Sequence, residues 1–370
     1  MLGALLSTFW AKKPQPNDSQ VDSVVEQGSK RKGASWAPDS EQARFENESE
    51  QLILKELGSG AFATVFATIG KSDANNSVIE YNRAKGNPVQ QKAVIENMRK
   101  SLLAAKLLDS RLIGMEQYAD EFRLEISMLR YVAKAYLDKE KHGVARILHP
   151  DIGPKPRSWY QMEMLTGGAL CDFRHLFWKR PPPLGGTIPA GLLWHMIAQL
   201  TETLMFLNFG IVDGKRIKNC HIIAHHDLHE GNILFRWPGT THQFYPDVVV
   251  ADFGRSFEMP LDMDDEEYAD EIYRTQVRDL RQLIVALGIL TSKAGEDGDT
   301  LEGVLALLDG VQVSSKNIDM KRVLNKAMLF ARRRRLEFYN KLPEAWIQYF
   351  SRPAVSDKEL EIFLQQFKRA

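Results

Sequence analysis

The chain has 370 residues, of which 44% are hydrophobic, so it is long enough to bury the core of one large domain or two medium ones. Its 48 basic and 48 acidic residues give a formal net charge of zero, which argues against a nucleic-acid-binding protein or one held by charge on an acidic membrane. The two cysteines, Cys171 and Cys220, lack the spacing of a metal site and indicate a reducing, intracellular location, cytoplasmic or nuclear.

The first 48 residues predict a segment without a fold of its own. Its apolar start, M-L-G-A-L-L-S-T-F-W, is short, and no apolar run in the chain approaches the roughly 20 residues of a membrane-spanning helix. Residues 13–48 are rich in Pro, Ser, Asn, Gln and charge, a composition typical of disorder. The basic cluster S-K-R-K at 29–32 is either a solvated cluster or a nuclear address.

A strand, a glycine turn and a second strand are predicted between Leu52 and Val65. The turn contains Gly58 and Gly60, whose missing side chains allow backbone N–H groups to approach phosphate oxygens closely. Farther along, the apolar residues between Val94 and Leu112 recur every three or four positions, which predicts a helix.

The middle of the chain alternates between helical and extended patterns. Tyr118 to Val132 predicts an amphipathic helix, and two strands are expected at Val144 to Leu148 and Trp159 to Met164. A glycine-rich break follows, and a buried helix is predicted from Ala190 to Asn208.

Two loops carry the residues suited to chemistry. The first lies in I-I-A-H-H-D-L-H-E-G-N-I-L-F at 222–235 and the second in V-V-V-A-D-F-G-R at 248–255, each bordered by an apolar run of strand type. They supply Asp227, Asn232 and Asp252. Because Mg²⁺ prefers hard oxygen ligands, Asn232 and Asp252 are predicted to hold the metal, which leaves Asp227 to orient a hydroxyl or accept its proton.

These motifs resemble those of protein kinases. The stretch from His225 to Asn232 is similar to the catalytic loop H-R-D-L-x-x-x-N, and Asp252-Phe253-Gly254 is similar to D-F-G. The stretch from Leu52 to Val65 resembles the glycine loop G-x-G-x-x-G-x-V, with Ala63 in place of the third glycine. Among protein kinases, the sequence most resembles those of filamentous fungi. Its catalytic loop, H-x-D-L-H-x-G-N, also resembles the loop of aminoglycoside and choline kinases.

The resemblance implies an α+β, two-lobed protein-kinase-like fold, with a small antiparallel sheet and helix C above a mainly helical lobe. It implies ATP and Mg²⁺ as cofactors, with Asp227, Asn232 and Asp252 as catalytic residues. The nucleotide would be held by Gly58, Gly60, Val65, the helix C glutamate Glu125, and the backbone of a hinge at Glu163 and Leu165, behind Met162.

One departure concerns the strand-three lysine, which grips phosphates and pairs with helix C in kinases. The family's usual spacing, laid on without a gap, aligns Glu80 with that lysine. A glutamate there would repel phosphate, so Lys71, Lys85 or Lys92 would have to reach the nucleotide instead.

Other departures lie in the second lobe. His226 and His229 replace the usual arginine and lysine of the catalytic loop, and no A-P-E follows D-F-G. Asp279 to Gly288 resembles the helix that anchors the catalytic loop from below. The intervening carboxylates are either a solvated run or a docking surface for a basic substrate: Asp262, Asp264, Asp265, Glu266, Glu267, Asp270 and Glu271.

The predicted organisation is a disordered segment at 1–48, an N-terminal lobe at 49–165, a C-terminal lobe at 166–352 and a helical tail at 353–370. The function expected from the resemblance is transfer of the γ-phosphate of Mg-ATP to a hydroxyl, with protein Ser or Thr as acceptor. The alternatives are a pseudokinase that binds nucleotide or an unknown protein partner, and a small-molecule kinase.

Overall fold

The chain is described here by a computed structural model. It covers residues 40–113, 115–135, 143–148, 158–172, 188–218, 220–240, 242, 244–259, 266–291, 298–313, 319–338 and 342–367. The apolar start, the basic cluster at 29–32 and the first part of the acidic run, 262–265, lie outside these residues.

The first lobe is built on an antiparallel sheet of five strands in the order β1-β2-β3-β5-β4. The sheet is antiparallel at every pairing, as predicted. The strands are β1 (Gln51–Ser59), β2 (Ala63–Gly70), β3 (Leu103–Leu108), β4 (Ile147–Leu148) and β5 (Trp159–Glu163).

A short helix, α1 (Glu41–Glu48), precedes the sheet and corrects the prediction of disorder for its residues. The Ser40 side chain caps it by accepting a hydrogen bond from the Ala43 N–H at 3.2 Å. Phe45 is fully buried and meets the edge of the Trp159 ring, with ring centroids 5.0 Å apart. The average composition of residues 13–48 is polar and gave no sign of this single aromatic contact. The contact packs the otherwise polar segment against the sheet.

A helical hairpin separates β2 from β3. It consists of α2 (Lys71–Arg83) and α3 (Pro88–Lys100), and Asn87 caps α3 immediately before a proline at its first position. The helix predicted through Leu112 is therefore confirmed as far as Lys100 and wrong for Leu103–Leu108. Because β3 is the middle strand, it carries a nearly continuous apolar run that periodicity cannot distinguish from a helix.

Helix α4 (Glu116–Ala135) matches the amphipathic helix predicted from Tyr118 to Val132. Its apolar stripe is buried, and one carboxylate, that of Glu125, is buried with it.

The second lobe is organised around the long buried helix α5 (Ala190–Phe209), which ends at Gly210 with φ +61°. The remaining elements of this lobe are β6 (Ile211–Val212), β7 (Lys215–Arg216), β8 (Ile222–Ala224), β9 (Ile233–Arg236), β10 (Asp247–Val250), β11 (Phe257–Met259), α6 (Glu266–Thr291), α7 (Gly298–Val313), α8 (Met320–Glu337) and α9 (Glu344–Phe350). Strand β9 pairs with β10 and β8 pairs with β11, both antiparallel. The antiparallel sheet of the first lobe and the mainly helical second lobe confirm the predicted α+β fold class.

The last helix, α10 (Asp357–Gln366), returns to the first lobe. Its buried Leu360 and Leu364, with Val355 ahead of them, join one apolar cluster with α2 and α3. Lys55 of β1 pairs with Glu359 at 2.9 Å, and Arg99 of α3 pairs with Asp357. Helix α10 therefore packs on the first lobe. Within the described residues, no helix is long and apolar enough to cross a membrane.

Candidate active site

The β9–β10 hairpin positions the three predicted catalytic residues. Asn232 lies just before β9 and Asp252 just after β10, and the Ala251 N–H donates to the Asn232 carbonyl at 2.9 Å. The Asn232 amide nitrogen donates to the Asp227 carbonyl at 2.9 Å. These bonds hold the Asp227 loop against the loop that carries Asp252 and leave the Asn232 amide oxygen available as a ligand.

His225 joins the two loops from beneath. Its Nε2 lies 3.0 Å from the Ala251 carbonyl, and the Asp227 N–H donates to its Nδ1 at 3.3 Å. Nδ1 is therefore the acceptor and Nε2 the donor of a neutral ring. Complete burial lowers the pKa of His225 to about 4, so the ring stays neutral at physiological pH. The buried Phe253 ring packs edge-on against it at 4.7 Å.

Helix α6 anchors the catalytic loop, as predicted from Asp279. The two carboxylate oxygens of Asp279 accept the N–H groups of His225 and His226, each at 2.8 Å. Burial raises the pKa of Asp279 to about 6, against the opposing effect of these two N–H donors. Gln282 adds a second pair of bonds, accepting the Leu228 N–H and donating to the His226 carbonyl.

Both loops contain a residue in the left-handed region of backbone conformation. His226 has φ +61° and Asp252 has φ +64°. Neither is glycine, so each conformation has an energetic cost that the surrounding bonds must offset. Such strain is common at functional sites, but it is not confined to these loops, since Glu50 and Asp213 also have positive φ.

The strand-three lysine is Lys106. Its Nζ lies 2.9 and 2.8 Å from the two carboxylate oxygens of Glu125 and 2.9 Å from Oδ1 of Asp252. Burial alone would lower the pKa of Lys106, but the carboxylates of Glu125 and Asp252 raise it to about 12. The ammonium group is therefore charged and lies between helix α4 and the D-F-G loop.

The alignment of Glu80 with this lysine is wrong. Glu80 lies on α2, and the proposed substitutes Lys71, Lys85 and Lys92 belong to the same helical hairpin region. The hairpin is inserted between β2 and β3, so β3 comes later in the sequence than the family's usual spacing would place it. An alignment that counts this spacing from the glycine loop without a gap therefore reaches the hairpin instead of β3. A signal was present, because Leu103-Ala104-Ala105-Lys106 resembles V-A-I-K and lies 19 residues before Glu125.

Glu125 faces the site, where the resemblance placed it. Its carboxylate is 1% exposed, and burial raises its pKa in spite of the nearby Lys106 ammonium. For Asp252 the balance is reversed: burial would raise its pKa, but Lys106 lowers it. One cation thus serves two carboxylates, and of the two only Asp252 has a pKa below its ordinary value.

The glycine loop has free space beside Gly58. The Gly60 N–H donates to the Ala63 carbonyl at 2.9 Å, which closes the turn between β1 and β2. A side chain at Gly58 would meet no atom within 4 Å, so packing inside the protein does not explain the glycine. Close approach of a ligand to the backbone would explain it. Val65 on β2 pairs with Gly58 in the register of the sheet.

The hinge segment leads from β5 into the second lobe. The Glu163 carboxylate binds Arg236 of β9 at 2.6 and 3.0 Å and accepts the Arg146 N–H at 3.0 Å. This side chain therefore ties the lobes together, and any contact between Glu163 and a base would use its backbone. Leu165 packs against Val249 and Ala251 beside the β9–β10 hairpin.

The donor set fits a magnesium ion that is completed by phosphate oxygens. Within the described part of the chain, no group of three or more His, Cys, Asp and Glu side chains could hold a metal by itself. Asn232 and Asp252 supply one amide oxygen and one carboxylate, and Mg²⁺ commonly takes one or two carboxylates with substrate phosphates.

Two side chains lie beside the Asp227 carboxylate. His229 Nε2 is 3.8 Å from Oδ2, and the Arg255 guanidinium is 4.0 Å from Oδ1. Both side chains are half exposed or more, so they border the side of the loop that an acceptor would approach.

Comparison with solved structures finds a likeness to a protein kinase domain. The chain is similar to the PknI kinase domain of Mycobacterium tuberculosis, a double mutant, at 14% sequence identity and a TM-score of 0.44, over 77% of this chain and 96% of that one. A likeness at this level says nothing of substrate or turnover. No protein-family model matches the sequence. No curated protein matches it either.

Proposed function

We propose that this protein is a phosphotransferase that transfers the γ-phosphate of Mg-ATP to a hydroxyl group. The observation that carries the proposal is the contact of Lys106 with both Glu125 and Asp252. In protein kinases the lysine–glutamate pair and the D-F-G aspartate must both be in place for transfer. The pseudokinase alternative relied on Glu80 in place of the lysine and on the missing A-P-E; Lys106 counts against the first argument and leaves the second.

Each residue of the site has its own role in the proposed transfer. The Lys106 ammonium binds phosphate oxygens, Gly58 and Gly60 offer backbone N–H groups above them, and Asp227 orients the acceptor hydroxyl and accepts its proton. Mg²⁺, when bound by Asn232 and Asp252, neutralises the charge that develops on the transferred phosphoryl group. The backbone at Glu163 and Leu165 holds the adenine, and Val65 covers it.

The proposed acceptor is a Ser or Thr hydroxyl of an intracellular protein. A small-molecule alcohol is the second candidate, and the observation that favours it is His229 beside the proposed base. The proposed lobes, 49–165 and 166–352, would enclose the nucleotide between them.

The first experiment measures transfer of labelled γ-phosphate from Mg-ATP, with Asp227→Asn beside the wild type. We expect the variant to bind nucleotide but to transfer phosphate about 10²- to 10⁴-fold more slowly, since it removes a general base. Asp120→Asn, on the exposed face of α4, is the matched control and should behave as wild type.

The acceptor panel contains generic proteins and small-molecule alcohols, including aminoglycosides and choline. Labelled protein would support the first candidate and labelled small molecule the second. If the wild type binds nucleotide and transfers nothing to either, the proposal fails and the nucleotide-binding scaffold takes its place.

A further inference from the structure

The Glu125 carboxylate has a second partner that neither the resemblance nor the sequence indicated. The Tyr160 hydroxyl donates a hydrogen bond to its Oε1 at 2.9 Å. Tyr160 is on β5, directly opposite Lys106 of β3 in the register of the sheet. Both members of the new pair are 1% exposed, so water does not compete for the bond.

The charges around Lys106 explain why the neutral Tyr160 hydroxyl is important to Glu125. One ammonium faces two carboxylates, those of Glu125 and Asp252, before any phosphate is bound. When Lys106 turns an N–H group towards a phosphate, one of its contacts with Glu125 or Asp252 must weaken, because it has only three protons to donate. A buried carboxylate that loses a donor is costly to keep in place. Tyr160 still holds it.

The tyrosine is itself fixed. Its ring lies 5.5 Å from the Phe122 ring on α4, between centroids, within the main hydrophobic core. The hydroxyl therefore reaches Glu125 from a rigid strand, while Phe122 and Glu125 belong to the same helix.

We infer that Tyr160 is a positioning residue, which keeps Glu125 and helix α4 in place while Lys106 engages the phosphates of the nucleotide. The inference rests on the proposed phosphotransferase function for its role in the reaction. It acts through Glu125 and makes no contact with the reacting groups.

The test is Tyr160→Phe, which removes the hydroxyl and keeps the ring. We expect kcat/KM for ATP to fall about tenfold, the effect of losing one hydrogen bond to a charged group. In a Glu125→Ala background, which removes the acceptor, the same substitution should change kcat/KM less than about twofold, because coupled residues are not additive. Tyr245→Phe is the matched control: Tyr245 is also 1% exposed, and its hydroxyl binds the Phe338 carbonyl in the second lobe.

A second readout does not depend on catalysis. Amide hydrogen exchange around Glu125 should be faster in Tyr160→Phe than in the wild type and unchanged in Tyr245→Phe. If the wild type proves inactive while exchange increases, the proposed function fails and the positioning of helix α4 by Tyr160 stands. Equal losses of kcat/KM in both backgrounds, or unchanged exchange, would overturn the inference.

Discussion

At the scale of single residues, the ionic contacts of Lys106 determine what the site can do. A charged ammonium beside two carboxylates is costly to assemble away from water, and such arrangements are kept where the charge is used. The use suggested here is the binding of phosphate.

Lys106→Met should abolish most of the transfer activity. It keeps the length of the side chain and removes the charge, so we expect a loss of at least about 10²-fold in kcat, as for other electrostatic groups. It also leaves Glu125 without a cation, so circular dichroism must show that the variant is folded at the assay temperature. Lys92→Met, an exposed lysine on α3, is the control. Wild-type kcat in Lys106→Met would contradict the assignment.

His195 should make stability depend on pH. Its Nδ1 accepts from Arg335 at 3.1 Å and its Nε2 lies 2.8 Å from the Pro246 carbonyl, so the native ring is neutral. Burial and Arg335 lower its pKa to about 3. A lowered pKa means that the stabilisation is present above about pH 6.5 and is lost as the pH falls towards 3.

The measurement is urea unfolding of the wild type and His195→Gln between pH 6.5 and pH 4.5. Over this range the free energy of unfolding should fall by about 2–3 kcal/mol more in the wild type than in the variant, which cannot titrate. Asp247 and His242 also act on His195 and are common to both proteins. Parallel pH profiles would show that His195 titrates normally.

Sequence reasoning predicted Asp227, Asn232, Asp252 and Glu125 because short motifs preserve the order of chemically necessary residues. The structure brings Asn232 to Asp227, and Lys106 to both Glu125 and Asp252. Tyr160 could not be predicted, since its role depends on the register between β3 and β5, which no local pattern specifies.

At the scale of elements, the catalytic loop takes its shape from helix α6. Helices α4 and α5, the apolar strands beside the two catalytic loops and the strands before and after the glycine turn were predictable because each has a strong pattern of its own. Strand β3 was not, because burial in the middle of the sheet removes the alternation that identifies a strand.

Asp279→Ala should disrupt the loop while α6 remains helical. Two backbone N–H groups lose their acceptors, so we expect the free energy of unfolding to fall by about 2–4 kcal/mol and transfer to be lost. Urea unfolding and the transfer assay measure the two effects. Asp319→Ala, which removes the cap of α8, is the control: it should lower stability by about 1 kcal/mol and leave transfer intact. Full activity in Asp279→Ala would refute the anchoring role.

At the scale of the whole molecule, side-chain contacts and a returning helix connect the two lobes in addition to the backbone of the hinge. The Glu163–Arg236 pair links β5 to β9, and α10 returns from the second lobe to pack on α2 and α3. The predicted two-lobed α+β fold is confirmed. The packing of α10 on α2 and α3 could not be predicted from the sequence. An apolar stripe shows that a helix packs against another element, but it does not identify that element.

Leu360→Ala tests this packing. Leu360 is fully buried against the hairpin, so its truncation should cost about 2–5 kcal/mol of stability. Ile362→Ala, on the same helix but 41% exposed, should change stability by no more than about 0.5 kcal/mol. Urea unfolding compares the two variants, and hydrogen exchange in α2 and α3 locates the loss. Equal, small effects of both substitutions would show that α10 is not docked in solution.

The return of α10 also determines the order in which the protein can be completed during synthesis. Domains generally fold in order from the N-terminus during translation. The ribosome adds about 5–20 residues per second. The apolar cluster of α2 and α3 includes Val355, Leu360 and Leu364, which are made long after the rest of the first lobe. A nascent chain therefore carries an uncovered apolar surface on its first lobe until α10 has been made, and a chain that stopped after the second lobe would leave that surface exposed.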